Sequence, residues 1–202
     1  MKNALKKLRE GNARFVSGET MHDIDSICSQ RIAGVQKQKP FAIILGCSDS
    51  RVPAEIIFDQ GLGDLFVIRV AGNVVAPSQL GSIELAVTMF GSSLVIVLGH
   101  SNCGVIHATF DALKDPNAVL SEHLDTIVAR VKPAIESEFH TTCQQQHIEN
   151  AVKANINNSV DTIIKESPII RNKITQGELQ VSGAFYDIES GMVDFYQCTE
   201  IS

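Results

Sequence analysis

Two short apolar runs, each closed by glycine, constrain this chain more than any other feature. Phe41-Ala-Ile-Ile-Leu-Gly46 leads into Cys47-Ser-Asp-Ser-Arg51, and Leu94-Val-Ile-Val-Leu-Gly99 leads into His100-Ser-Asn-Cys-Gly104. Continuous apolar runs of this length read as strands buried on both faces, hence as members of a parallel sheet. Ligands of open α/β sheets collect beyond the carboxyl ends of such strands. Two adjacent strands would deliver Cys47, Asp49, His100 and Cys103 to one spot. Thiolate, imidazole and carboxylate together are a zinc ligand set.

The remaining segments alternate around these runs. Ala4, Leu5, Leu8, Asn12 and Phe15 fit one face of an amphipathic helix whose basic residues Lys6, Lys7 and Arg9 lie elsewhere around it. Residues 24–38 form a second helix, ended by Lys39-Pro40. Pro53 opens a short helix through Phe58. Asp64–Val70 is a further strand, with Ala71-Gly72-Asn73 as the turn after it. A helix runs from Pro77 to Phe90, and another starts near Cys103 after strand 94–98. Asp115-Pro116-Asn117 restarts helical structure, which Pro133 should kink or break. Helices follow over 144–165 and from Pro168. The end reads as a hairpin, Leu179–Asp187 and Met192–Cys198, turned by Glu189-Ser190-Gly191. The expectation is one α/β domain over residues 1–202, a mostly parallel central sheet flanked by helices with an antiparallel C-terminal edge strand.

Composition narrows the class. At 202 residues and 44% hydrophobic, the chain has enough apolar material for one substantial core. A net charge of −6 argues against a nucleic-acid surface. No run approaches the ~18 apolar residues of a membrane span. Met1-Lys-Asn-Ala-Leu-Lys-Lys lacks a signal-peptide core, so the cytoplasm is the default, a previously removed signal leaving no trace. Five cysteines do not suggest a disulfide framework. Cys28, Cys143 and Cys198 read as buried or partly buried small hydrophobes; Cys47 and Cys103 stand apart because each has a potential ligand two or three residues away.

Two metal chemistries fit the four candidates. A Cys₂-His-Asp site is closed and structural, whereas a Cys₂-His site leaves zinc's fourth position for water. Arg51 decides between them if it takes Asp49 in a bidentate salt bridge and holds the carboxylate off the metal. Asp49 then accepts a hydrogen bond from zinc-bound water or hydroxide. His100 and Cys103, three apart, can aim at one ion. Gly104 lets the backbone approach closely, and helix-start N–H groups there favour an anion. Hydration of a small electrophile to an anion suits such a site.

At these residues the chain resembles the β-class carbonic anhydrases. Gly46-Cys-Ser-Asp-Ser-Arg-Val-Pro53 and Gly99-His-Ser-Asn-Cys-Gly104 are similar to that family's two signatures. Asp64–Asn73, Gly81–Val87 and Leu8–Phe15 resemble its connecting segments. The resemblance implies reversible hydration of carbon dioxide to bicarbonate and a proton by zinc-bound hydroxide. Zinc would be held by Cys47, His100 and Cys103, with Asp49 and Arg51 as a gating dyad. It implies a homo-oligomer, a dimer or dimer of dimers, in which N-terminal helices embrace the partner and clefts lie at the subunit interface. Gln38 matches a glutamine that hydrogen-bonds carbon dioxide or bicarbonate, and Phe66 an aromatic wall of the substrate pocket; an exposed polar residue and a core phenylalanine are the plainer readings. A carbon disulfide or carbonyl sulfide hydrolase, and a non-catalytic protein with a closed zinc site, remain as alternatives.

Some positions depart from the family pattern. Leu85 replaces a tyrosine found in many members. Ile44 replaces a tryptophan of a second, inhibitory bicarbonate site, whose other two members Arg69 and Tyr186 resemble; the missing tryptophan argues against that site here. His107 lies near Cys103 on the same predicted helix, in a packing or supporting role. His22, His123, His140 and His147 have no partner pattern and read as surface residues.

Overall fold

The computed structural model describes residues 2–22, 24–33, 38–115, 119–136 and 144–197. Its sheet contains β1 (Ala42–Gly46), β2 (Leu65–Arg69), β3 (Leu94–His100), β4 (Gln180–Tyr186) and β5 (Val193–Phe195). The order is β2-β1-β3-β4-β5, with only β4 and β5 antiparallel. After β1 the chain passes to one side to form β2 and then to the other to form β3. The strand order therefore reverses between β1 and β3, the place where an open α/β sheet leaves a crevice. Every residue of β1 and β3 is buried, as their unbroken apolar runs require.

The faces are covered unequally. One receives Ile43, Leu45, Val95 and Val97 and packs against α4 (Pro77–Phe90), α5 (Gly104–Lys114), α6 (Glu122–Ile135), α7 (Gln144–Glu166) and α8 (Pro168–Thr175), through residues such as Ile83, Ile106, Val131, Ile156 and Ile170. The other receives Ile44, Leu94, Ile96 and Leu98 and packs against α1 (Lys2–Ser17) and α3 (Ala54–Ile57), through Ala4, Leu8, Ile57 and Phe58. Each such aliphatic side chain, taken fully from water, contributes roughly 1.5–3 kcal/mol. Among the described residues no helix is long and apolar enough to cross a membrane.

Several expectations need correction. The second helix, α2, ends at Ala33, and residues 34–37 lie outside the described residues. Cys28 on it is exposed rather than buried. Gln30 anchors the helix, accepting from the Leu62 N–H at 2.9 Å. Helical structure resumes at Glu122, where the Ser121 hydroxyl caps the Leu124 N–H; residues 116–118, at the expected restart, lie outside the described residues. Pro133 does not break α6, which runs two residues past it to Ile135. β3 extends to His100, since Gly99 and His100 still pair with Phe185 and Tyr186. Cys143, His140 and Cys198 lie outside the described residues.

His22 is the clearest surprise, for it does not stand alone on the surface. Its Nδ1 lies 3.2 Å from Asp59 Oδ1. Asp59 is 3% exposed, lies two residues beyond the end of α3, and takes a φ of 43°. Arg14 Nε and the Met21 N–H also donate to its carboxylate, tying α1 and the segment beyond it to the core. Burial pushes the Asp59 carboxyl up, but these donors outweigh it and hold it below the usual carboxylate value. A depressed folded-state pKa adds stability above the unfolded value of about 3.9 and loses it as pH falls through the folded value. Asp59→Asn keeps a residue tolerant of this backbone. It should lower unfolding stability by about 2–3 kcal/mol near neutrality. Denaturant melts should show that gap flat above about pH 5 and narrowing below about pH 4; a gap unchanged into acid would refute the ionised clasp.

Candidate metal centre

The parallel register sets the site. Gly46, last in β1, lies opposite Leu98 of β3, so Cys47 and His100 leave the sheet side by side at the crevice. The chain then turns through Asn102, at a φ of 55°, and Cys103 becomes the residue preceding α5. Cys47 Sγ, Cys103 Sγ and a ring nitrogen of His100 all lie within 4.8 Å of one another. The three residues are 5%, 2% and 0% exposed, which separates them from an incidental surface cluster.

The chemistry of this trio fits a soft or borderline cation. His100 Nδ1 faces the Ser101 carbonyl at 2.9 Å. A carbonyl only accepts, so Nδ1 carries a proton, and in the neutral ring Nε2 is then the nitrogen with the free lone pair. That Nε2 is buried with no hydrogen bond among the described residues. An imidazole oriented through Nδ1–H with a bare Nε2 is the arrangement of a metal-ligating histidine. The sulfurs are similarly prepared. The hydrogen bond from Cys103 pulls the Cys47 thiol well below its usual value, helped by His100 and by the Asp49 and Gly72 N–H groups. The same hydrogen bond and burial push Cys103 up. A divalent ion would take over from the shared proton and hold both as thiolates.

Asp49, a candidate fourth donor, is not in this cluster. Arg51 Nε donates to its Oδ1 at 2.9 Å and Nη2 to its Oδ2 at 2.7 Å, while the Arg51 N–H also reaches Oδ1 at 2.9 Å. Arg51 Nη2 further lies 3.3 Å from the Asn102 carbonyl, which links the two loops. The Arg51 hydrogen bonds outweigh desolvation and hold the Asp49 carboxyl far below the ordinary range.

Other candidates fall elsewhere. Gln38 is exposed and precedes β1, at the opposite end of that strand from Cys47. Phe66 pairs with Ile43, and its ring packs against Phe90 at 5.9 Å between centroids. Neither reaches this chain's own donor cluster. Gly104 opens α5, is exposed, and a methyl built there would meet nothing within 4 Å. His107 and His123 are exposed. Ile44 and Tyr186 are buried on the α1 and α3 face. Arg69 donates to the Cys47 carbonyl at 3.1 Å and the Asp49 carbonyl at 2.6 Å, so it clamps the loop that carries both. The sequence reading missed that use of Arg69, because backbone carbonyls leave no trace in residue identity.

A donor trio at the switch point of such a sheet marks an α/β protein with a metal-competent crevice. Comparison with known proteins makes the class specific. The carbonic anhydrase family matches residues 42–193. A carbonic anhydrase of Mycolicibacterium smegmatis is 40% identical over 191 residues, covering 95% of this chain and 91% of that one. Carbonic anhydrase 2 of Mycobacterium tuberculosis is 38% identical, covering 93% and 89%. Among solved structures, a tetrameric β-carbonic anhydrase of Sordaria macrospora superposes with a TM-score of 0.74 at 26% identity, over 98% of both chains. The chain belongs to the carbonic anhydrase family, in its β class, and is an enzyme of that kind.

Cys103→Ser should weaken zinc binding by more than about a hundredfold, since loss of outer-shell partners alone costs 10–100-fold. Competition against a chromophoric chelator measures this. Stoichiometric, tightly held zinc in the variant would remove Cys103 from the ligand set.

Proposed function

We propose that this enzyme hydrates carbon dioxide reversibly to bicarbonate and a proton, with zinc held by Cys47, His100 and Cys103. The observation that carries the reading is the bidentate Arg51–Asp49 pair, which keeps the nearest carboxylate off the three-donor cluster. Three protein donors leave zinc an open position, whereas a fourth would close it. Zinc, when bound, acidifies water from a pKa of about 15.7 toward about 7.

The chain's own residues supply the rest. Asp49, kept ionised by Arg51, is an acceptor that orients the attacking water through its proton. Arg51 fixes that carboxylate, and Arg69 fixes the backbone beneath it. The first turn of α5, opening at Gly104, presents N–H groups that favour the anionic product.

Gln38 and Phe66 enter this reading through a second copy. Gln38 precedes β1 and Phe66 lies near the start of β2, both toward the end of the sheet away from Cys47, so a homodimer or dimer of dimers would bring them to a neighbour's cleft. The exposed Val16, Met21, Ile56 and Leu62 support such association, with the N-terminal helix contributing to it. The Sordaria relative is described as tetrameric. The reading treats residues 1–202 as one domain working in the cytoplasm on carbon dioxide and bicarbonate.

Asp49→Ala should retain stoichiometric zinc and lose carbon dioxide hydration by about a hundredfold or more, the usual scale for a positioned acid or base. Stopped-flow hydration on metal-verified protein checks this. Full activity in the variant would end the role given to Asp49.

A further inference from the structure

Helix α7 reaches the metal centre through a polar contact that the reaction chemistry does not require. Ile156 seats against the sheet where Gly99 and Gly183 leave room. A methyl on either glycine would lie 2.6 Å or less from an Ile156 carbon. This close approach places Asn155 and Ser159, one helical turn apart, beside the 71–73 turn. Both are 2% exposed. Asn155 Nδ2 donates to the Gly72 carbonyl at 2.8 Å, and Ser159 Oγ donates to the Asn73 carbonyl at 3.1 Å.

The turn they hold uses left-handed backbone. Gly72 has a φ of 68° and Asn73 a φ of 44°, two consecutive left-handed residues. Glycine and asparagine are the residue types that adopt such backbone at least cost. The same conformation points the Gly72 N–H at Cys47 Sγ, 3.4 Å away. Val105 of α5 closes the remaining space, since a methyl on Gly72 would lie 2.9 Å from its Cγ1.

We propose that Asn155 and Ser159 are positioning residues for the metal centre, acting through the Gly72 N–H on the Cys47 thiolate. An N–H donor at a ligating sulfur draws charge from it, which tunes metal affinity and the acidity the metal confers. The inference rests on Cys47 being a metal ligand, and the experiment separates the two.

The test is made on the full chain loaded with cobalt(II), whose thiolate-to-metal charge-transfer band reports directly on the sulfurs. Asn155→Leu removes the donor at nearly constant volume; it should shift that band and weaken zinc binding about tenfold. Ser159→Ala, the milder change, should move both readouts in the same direction, and Ser159→Thr should restore them. If Asn155→Leu fails to fold, Ser159→Ala decides alone. A wild-type band left unmoved by the folded variants, with unchanged zinc affinity, would overturn the positioning role and leave Cys47 a ligand. No thiolate band in the wild type would overturn the metal reading and this inference together.

Discussion

Everything at this site depends on the parallel pairing of β1 with β3. The register that sets Gly46 beside Leu98 brings a cysteine from one strand end next to a histidine from the other. The donors are about fifty residues apart in sequence and owe their meeting to backbone hydrogen bonds and apolar burial on both faces. A slip of one residue would change the offset between Cys47 and His100 and disturb the cluster, while also exchanging every side chain of the slipped strand between the two faces. The metal site and the core are thus specified by the same contacts.

Around that pairing, two cations hold the 47–51 loop. Arg51 fixes Asp49 and touches the Asn102 carbonyl, and Arg69 grips the carbonyls of Cys47 and Asp49. Both guanidiniums are therefore committed to the 47–51 loop. For Arg69 this is a different use from the second bicarbonate site that its family position suggested. Ile44 and Tyr186, the other positions of that site, are buried against α1 and α3. Asp59 plays the mirror role on the opposite face, where one buried carboxylate gathers Arg14, Met21 and His22.

Much of this was legible in the sequence because the decisive elements are local. Two apolar runs announced buried strands, and the motifs at their ends named the donors and the arginine that restrains Asp49. What stayed hidden was long-range and polar. Asn155 and Ser159 lie 83 and 86 residues from the turn they hold. They read simply as polar positions on a helix, and no periodicity links them to Gly72. His22 lacked a local partner because its partner is 37 residues away. Cys28 read as a small core residue, yet it is exposed on α2, and nothing in its sequence neighbourhood marks that.

The central claim is that Arg51 keeps Asp49 off a three-donor centre and so leaves one position open. Adding thiocyanate to the cobalt(II)-substituted enzyme near neutral pH tests it most directly, because an exogenous anion binds only where a coordination position can be yielded. The account predicts that the visible cobalt bands shift and saturate at one anion per site in the wild type. A wild-type spectrum indifferent to thiocyanate, with a response appearing only in Asp49→Ala, would contradict it by showing that the carboxylate fills the fourth position.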